Sequence, residues 1–164
     1  MTPTENPTVS FRRLQDTDAT LMLAWLQRPH VKQWWNDGDD TLEKVRKHYC
    51  GKPDEVSRFV LLSAINQPIG YFQYYPLADN VIGIDQFIGD AALINQGLGT
   101  IAVSAFIARI LESHSPKMII VDPEPDNRRA IRCYEKSGFR YQTTAVDENG
   151  KSAYLMGINP ESQA

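Results

Sequence analysis

Three stretches of this 164-residue chain carry the side chains best suited to chemistry. The first, IDQFIGDAALINQGLGT (84–100), sets one acid, Asp85, in a short apolar run. A Gly-x-Gly turn, Gly97 and Gly99, then opens a long apolar pattern. A carboxylate can accept a proton. A glycine turn at a helix start aims several backbone N–H groups one way, and the helix dipole adds positive potential, which suits a phosphate. Taken alone, the turn reads equally well as a tight strand-to-helix connection. Asp85 has its own plain alternative, a strand acid paired with an arginine. The second stretch, NRRAIRCYEKSGF (127–139), puts Asn127, Ala130 and Tyr134 on one helix face at i, i+3 and i+7. Ala130 keeps that face low, while Asn127 offers an amide and Tyr134 a hydroxyl to the same groove. The competing reading makes Tyr134 a core aromatic and Asn127 a helix cap. The third, VDPEPD (121–126), places Asp122 at a strand exit, where an acid can bind a cation or simply cap the turn.

These residues need a scaffold, and the periodicity supplies one. Val9–Leu14 reads as a strand, followed by a helix capped by Asp16 and running to about Arg28, with Leu21, Met22, Trp25 and Leu26 on its apolar face. Thr41–Tyr49 is a second, amphipathic helix, with Asp40 a candidate cap. Strands follow at Ser57–Ala64, Ile69–Leu77 and Val81–Ile88. A helix runs from the glycine turn to about Ser113. Lys117–Val121 is a short buried strand, Arg128–Ser137 a helix stopped by Gly138, and Phe139–Val146 and Ala153–Ile158 close the sheet. The order β-α-α-β-β-β-α-β-α-β-β predicts an α/β (α+β) chain whose mixed sheet is mostly antiparallel, with a parallel crossover between the fourth and fifth strands.

Bulk properties narrow the function. The length suits a single domain spanning residues 1–164, with flexible ends at 1–8 and 160–164. A net charge of −3 gives no electrostatic case for nucleic acid or an anionic membrane. Cys50, Cys133 and three scattered histidines form no metal-ligand spacing, so no metal is expected. Cys133 reads as a core thiol. The opening MTPTENPTVS lacks the pattern of a signal peptide, and no apolar run is long enough to span a bilayer, which predicts a cytoplasmic setting. Asp37, Asp39 and Asp40 form an acidic loop that can attract a polycation or remain solvated.

Taken together, NQGLGT and NRRAIRCYEKSGF resemble the GCN5-related N-acetyltransferases, and the element order matches from Val9 to about Ile158. The resemblance implies that the turn Ile94, Asn95, Gln96, Gly97, Leu98, Gly99 and Thr100 holds the pyrophosphate of acetyl-CoA. It also implies that Phe87, Ile88, Asn127, Ala130 and Tyr134 lie along the pantetheine and thioester. Where that superfamily often has Arg or Gln, this chain has Ile94, so phosphate binding falls to backbone N–H groups, with Gln96 a helper. Three further stretches, WLQRPHVKQWW (25–35), PIGYFQYY (68–75) and GIDQFIGD (83–90), look like the aminoglycoside 6′-N-acetyltransferases. Carried over, that likeness puts Asp85 beside the amine to be acetylated, Asp122 on another ammonium, and Tyr134 at the leaving thiolate. Trp34 and Trp35, one core and one exposed, would border the sugar, with Tyr71, Gln73, Gln86 and Glu124 in the same substrate region. A departure lies in PLADNV (76–81), which is shorter than the acidic, Trp-containing loop of such enzymes.

The chemistry is coherent. An ammonium cannot attack a thioester until it loses a proton, which a nearby carboxylate can take. A backbone N–H in the Asp85–Phe87 strand can bind the developing oxyanion. A tyrosine hydroxyl can protonate the departing thiolate. The expectation is an acetyl-CoA-dependent N-acetyltransferase acting on a small polycationic amino sugar. Partners among nucleic acids or membranes are not expected, and monomer and homodimer stay open. The rivals are the same fold acylating a siderophore hydroxylamine or a peptide amine, and a catalytically idle CoA-binding domain.

Overall fold

The computed structural model describes residues 9–160; the expected flexible ends and the opening MTPTENPT lie outside them, apart from Pro160. Its elements follow the anticipated order. They are β1 (Ser10–Arg13), α1 (Ala19–Gln27), α2 (Pro29–Lys32), α3 (Leu42–Tyr49), β2 (Ser57–Leu62), β3 (Pro68–Leu77), β4 (Val81–Ile88), α4 (Leu98–Leu111), β5 (Met118–Val121), α5 (Arg128–Lys136), β6 (Arg140–Val146) and β7 (Ser152–Ile158). The sheet has seven strands in the order β1-β2-β3-β4-β5-β7-β6. β4 and β5 run parallel, as the helix between them requires, while β1–β2, β5–β7 and β6–β7 are antiparallel. Among the described residues no helix is long and apolar enough to cross a membrane.

Backbone packing separates two compact units. One runs through Gln73 and includes Gln86–Gln96; the other holds Tyr74–Asp85 and the chain from Gly97 onward. In the first, Ala19, Met22, Trp25 and Leu26 of α1 and Val45 and Tyr49 of α3 share a core with Val60 and Tyr71. The caps differ from those expected. Gln15 and Asp18, not Asp16, form a capping box ahead of α1. Thr41, not Asp40, caps α3, its hydroxyl accepting from the Lys44 N–H at 3.2 Å, while Asp40 pairs with Lys44. Each segment offers several competing cap residues in a row, and their order alone does not select one.

Asp18 is the buried acid of this unit. It accepts from Arg12 through both guanidinium nitrogens, at 2.7 and 2.8 Å, and from the Gln15 N–H at 2.7 Å. Burial alone would raise its pKa, but Arg12 and the Gln15 N–H outweigh burial and hold it below the usual carboxylate range. Asp18→Ala is therefore expected to cost about 2–3 kcal/mol at neutral pH, read by urea unfolding. Because the folded-state pKa is depressed, that contribution is present above about pH 4 and fades as pH falls through the lowered value. An unchanged unfolding midpoint would reduce the pair to a surface contact.

In the second unit, Ala102, Val103, Phe106 and Ile110 of α4 are buried, as are Ile119 and Val121 of β5 and Met156 and Ile158 of β7. α5 ends as expected: Gly138 adopts a left-handed φ of 103°, and the Phe139 N–H reaches back to the Tyr134 carbonyl at 2.9 Å. The short PLADNV connection is a tight turn with Asp79 and Asn80 both left-handed. It is tied down by Asn80, whose Nδ2 donates to the Ser115 carbonyl at 2.9 Å and whose carbonyl accepts from Lys117 at 3.0 Å.

Candidate active site

The parallel ladder brings the two candidate acids together. Its last pairs are Ile82 with Ile119 and Gly83 with Ile120. Two residues further along each strand, on the same face by strand alternation, stand Asp85 and Asp122. Their carboxyls lie close enough to act on each other's ionisation. Asp122 is exposed as a whole residue, but its carboxyl loses hydration to neighbouring protein groups; its pKa is pushed up to about 6, first by that desolvation and then by the Asp85 charge, with Lys151 offsetting part of the rise. Two such groups cannot both ionise without cost. When ionised, they form a concentrated negative site that can hold an ammonium and accept its proton. The expectation gave Asp122 an ammonium other than the reacting amine; the structure sets the two acids near each other.

A third member was not foreseen. Tyr75 of β3 lays its ring across Gly83; a Cβ at that glycine would meet the ring Cζ at 2.6 Å and the hydroxyl at 2.8 Å. The Tyr75 hydroxyl lies near the Asp85 carboxyl, whose charge opposes the phenol's ionisation. Its pKa is raised, first by burial and then by the charges of Asp85 and Asp122. The signal was period two: Tyr71 and Gln73 were singled out on β3, and Tyr75 is the next residue on that face.

The glycine turn has the shape a diphosphate needs. Gly97 precedes α4 with a φ of 77°, no side chain caps the helix, and a Cβ at Gly97 would meet nothing within 4 Å. The first-turn N–H groups of Leu98, Gly99 and Thr100 have no intrahelical acceptor, so the donor set fits an anion without a lysine. Gly99 has a second task. A Cβ there would meet the Cys133 sulfur at 3.2 Å, so its missing side chain lets α4 approach α5. Gln96, the expected helper, donates from Nε2 to the Ala92 carbonyl at 2.7 Å. Asn95 takes a left-handed φ of 66°, and Ile94 is half-buried.

On α5, the Asn127 Oδ1 accepts from the Ala130 N–H at 3.3 Å, so its side-chain oxygen caps the helix. Tyr134 is 6% exposed and packs edge-on against Phe139 at 5.5 Å. Cys133 lies 3.8 Å from the Thr100 hydroxyl, its thiol pKa raised by burial, in keeping with a core thiol. Glu124, expected among the substrate residues, pairs with Lys151 at 3.1 Å.

The remaining candidates sit in the other unit. Trp34 is exposed, while Trp35 joins an aromatic cluster with Tyr71, Phe87 and Tyr49 and donates to the Tyr49 hydroxyl at 3.0 Å. The expected split of one core and one exposed tryptophan holds. Tyr71 is fully buried, donates to Gln73 Oε1 at 2.6 Å and stacks on Phe87, so it is a core residue out of a substrate's reach. Phe87 likewise faces this cluster. Gln73 and Gln86 are half-buried, and the Ile88 carbonyl is bound by His30 at 2.9 Å. Asp37, Asp39 and His48 lie close enough to share a cation, but His48 already bonds Asp39 at 2.7 Å.

Comparison with known proteins agrees with this scaffold. Residues 15–146 match the family described as acetyltransferase (GNAT) domain. The aminoglycoside N(6′)-acetyltransferase type 1 of Klebsiella pneumoniae is 31% identical over 168 residues, spanning 92% of this chain and 83% of that protein. Two solved structures of AAC(6′)-Ib are each 30% identical. The complex with paromomycin and acetyl-CoA superimposes with a TM-score of 0.87, covering 95% of this chain and 96% of the other. The complex with coenzyme A and kanamycin gives 0.85, covering 94% and 96%. A seven-stranded sheet with one parallel crossover, a glycine turn opening the crossover helix, and this agreement along nearly the whole length have one explanation: the chain belongs to the GNAT acetyltransferases, a family of acyltransferases.

Proposed function

We propose that this chain, acting as a single catalytic domain, transfers acetyl from acetyl-CoA to the 6′-amine of an aminoglycoside. The observation that carries the reading is the register of β4 on β5, which sets the Asp85 and Asp122 carboxyls near each other as an acidic site suited to a polycationic amino sugar. The relatives' own substrates and donor support it. The N–H groups of Leu98, Gly99 and Thr100 would hold the donor's diphosphate. Bound there, acetyl-CoA supplies a thioester-activated acetyl group. Asp85 and Asp122 draw the substrate ammonium in, and Asp85 takes its proton, directly or through water. A backbone N–H of the Asp85–Phe87 strand binds the developing negative charge. The Tyr134 hydroxyl delivers a proton to the departing sulfur.

A thiol-release assay with kanamycin, a peptide amine and a hydroxylamine separates the choices. Turnover of kanamycin alone is expected; turnover of either other acceptor in its place would move the substrate class, and none with any would favour a CoA-binding domain. Tyr134→Phe keeps the ring against Phe139 and removes the hydroxyl. Its kcat is expected to fall about tenfold, or about 1.4 kcal/mol of barrier, with CoA affinity close to parental. If kcat is unchanged while acetyl transfer limits the parent, Tyr134 is a packing residue.

A further inference from the structure

We propose that Arg28 and His30 are positioning residues for acetyl transfer: they clamp the carbonyls at the end of β4 and so fix the direction of the strand's N–H groups toward the developing oxyanion. The proposal deepens the reading given above and rests on it for its kinetic test.

Four contacts converge on two consecutive residues. The His30 Nε2 lies 2.9 Å from the Ile88 carbonyl; a carbonyl can only accept, so Nε2 carries the proton and donates. The Arg28 guanidinium donates to the Gly89 carbonyl at 2.5 Å. The Gly89 N–H donates in turn to the Ile69 carbonyl of β3 at 2.8 Å. The Trp25 indole covers Gly89 so closely that a Cβ there would collide with it, so only glycine fits. The clamp stands on firm ground. Arg28 precedes α2, Pro29 opens that helix, and Val31 anchors it in the core. Trp25 of α1 also packs edge-on against Phe87, one residue before the clamped pair.

Strand geometry ties the clamp to the chemistry. β4 pairs with β5 as far as Gly83 and Ile120, yet it runs on to Ile88. Carbonyls beyond the last rung need donors from elsewhere. The Gly89 N–H faces β3, so by alternation the backbone groups of Ile88 and Gln86 face the other way. His30 takes the Ile88 carbonyl on that edge. Gln86 is two residues earlier on the same edge, within the Asp85–Phe87 stretch that binds the oxyanion in the reading above. Arg28 and the protonated Nε2 bring donors only. They satisfy carbonyls without competing for an N–H that the reaction uses. An oxyanion donor works only when its direction is set in advance, and two side chains from one rigid turn set it here.

His30→Leu and Arg28→Met remove the donors, while His30→Gln and Arg28→Lys keep one at each place. Each loss should lower kcat with kanamycin by about tenfold, and both together by about a hundredfold, with KM for kanamycin close to parental. The donor-keeping variants should recover most of the rate. A role confined to stability would lower Tm and leave kcat unchanged well below it, which overturns the proposal. A second measurement needs no aminoglycoside. Acetyl-CoA should shift the Gln86 amide resonance of the 15N-labelled parent, and much less in the double variant Arg28→Met/His30→Leu. An equal shift in both would also overturn it. If that shift is lost in the double variant but no aminoglycoside is acetylated by the parent, the substrate assignment fails and the clamp stands. If the loss variants acetylate kanamycin at the parental kcat, the clamp alone fails.

Discussion

Asp85→Asn should lower kcat/KM for an aminoglycoside by about 10²–10⁴-fold at neutral pH, the range a positioned base provides. Asparagine keeps the size of the side chain, but it cannot take a proton. The structure places the result toward the lower end of that range. Asp122 lies close to Asp85. Once Asp85 is neutral, the charge that opposed Asp122 ionisation is gone, so Asp122 carries more negative charge at pH 7 and can serve as a poorer base. Asp85→Asn/Asp122→Asn together should therefore cost more than the two single losses multiplied, as where one residue can substitute for the other. The deficit of the single variant should shrink as pH rises, because free substrate amine then needs no base. Rate profiles of parent, single and double variants between pH 5.5 and about 9.5 decide the matter. Parallel profiles with a small constant gap would leave Asp85 a shaping residue.

How far the site could be read from sequence depended on whether its cause was local. The glycine turn, the Gly138 stop and the Asn127 position are backbone devices written in a few adjacent residues, and the structure places them as expected, with the Asn127 oxygen spent on its own helix. The alternating and 3.6-residue patterns located every strand and the longer helices, with ends shifted by one to three residues. The one-turn helix α2 escaped because four residues carry no period. The partnership of Asp85 with Asp122 was not legible for another reason. It depends on the register of β4 against β5, two strands separated by a whole helix, and a shift of one residue would send the two acids to opposite faces. Tyr75 shared that difficulty, since its importance comes from the glycine beneath it on another strand. The burial of Tyr71 was not legible because aromatic spacing on β3 does not say which members of the row are covered by α1, α3 and the Trp35 turn.

Asp122→Asn should separate binding from stability, with opposite signs. A carboxylate that bonds an ammonium contributes roughly 1.5–3 kcal/mol, so KM for kanamycin should rise about tenfold or more. Because Asp122 and Asp85 lie close together, one ammonium can lie against both. The rise is therefore expected for an amino sugar with a single amine as well as for a polyamine. A rise confined to polyamines would return Asp122 to a separate subsite. Stability should move the other way. The folded-state value, about 6, lies above the ordinary carboxylate value of 3.8. Folding therefore favours the protonated acid, and the parent loses stability as pH rises from about 4 to 6, after which the penalty is complete. Asparagine does not titrate, so it removes this penalty. Asp122 is exposed, so solvent screens its charge, and at pH 8 the variant should be more stable by about 1 kcal/mol or less, or about 2–4 °C in Tm for a chain of this length. Near pH 4 the two proteins should melt together. Thermal melts at both pH values, in the absence of substrate, read the difference directly. If Asp122→Asn melts below the parent at pH 8, the acid is stabilising the fold, and its closeness to Asp85 is no longer a strain kept for binding an amine.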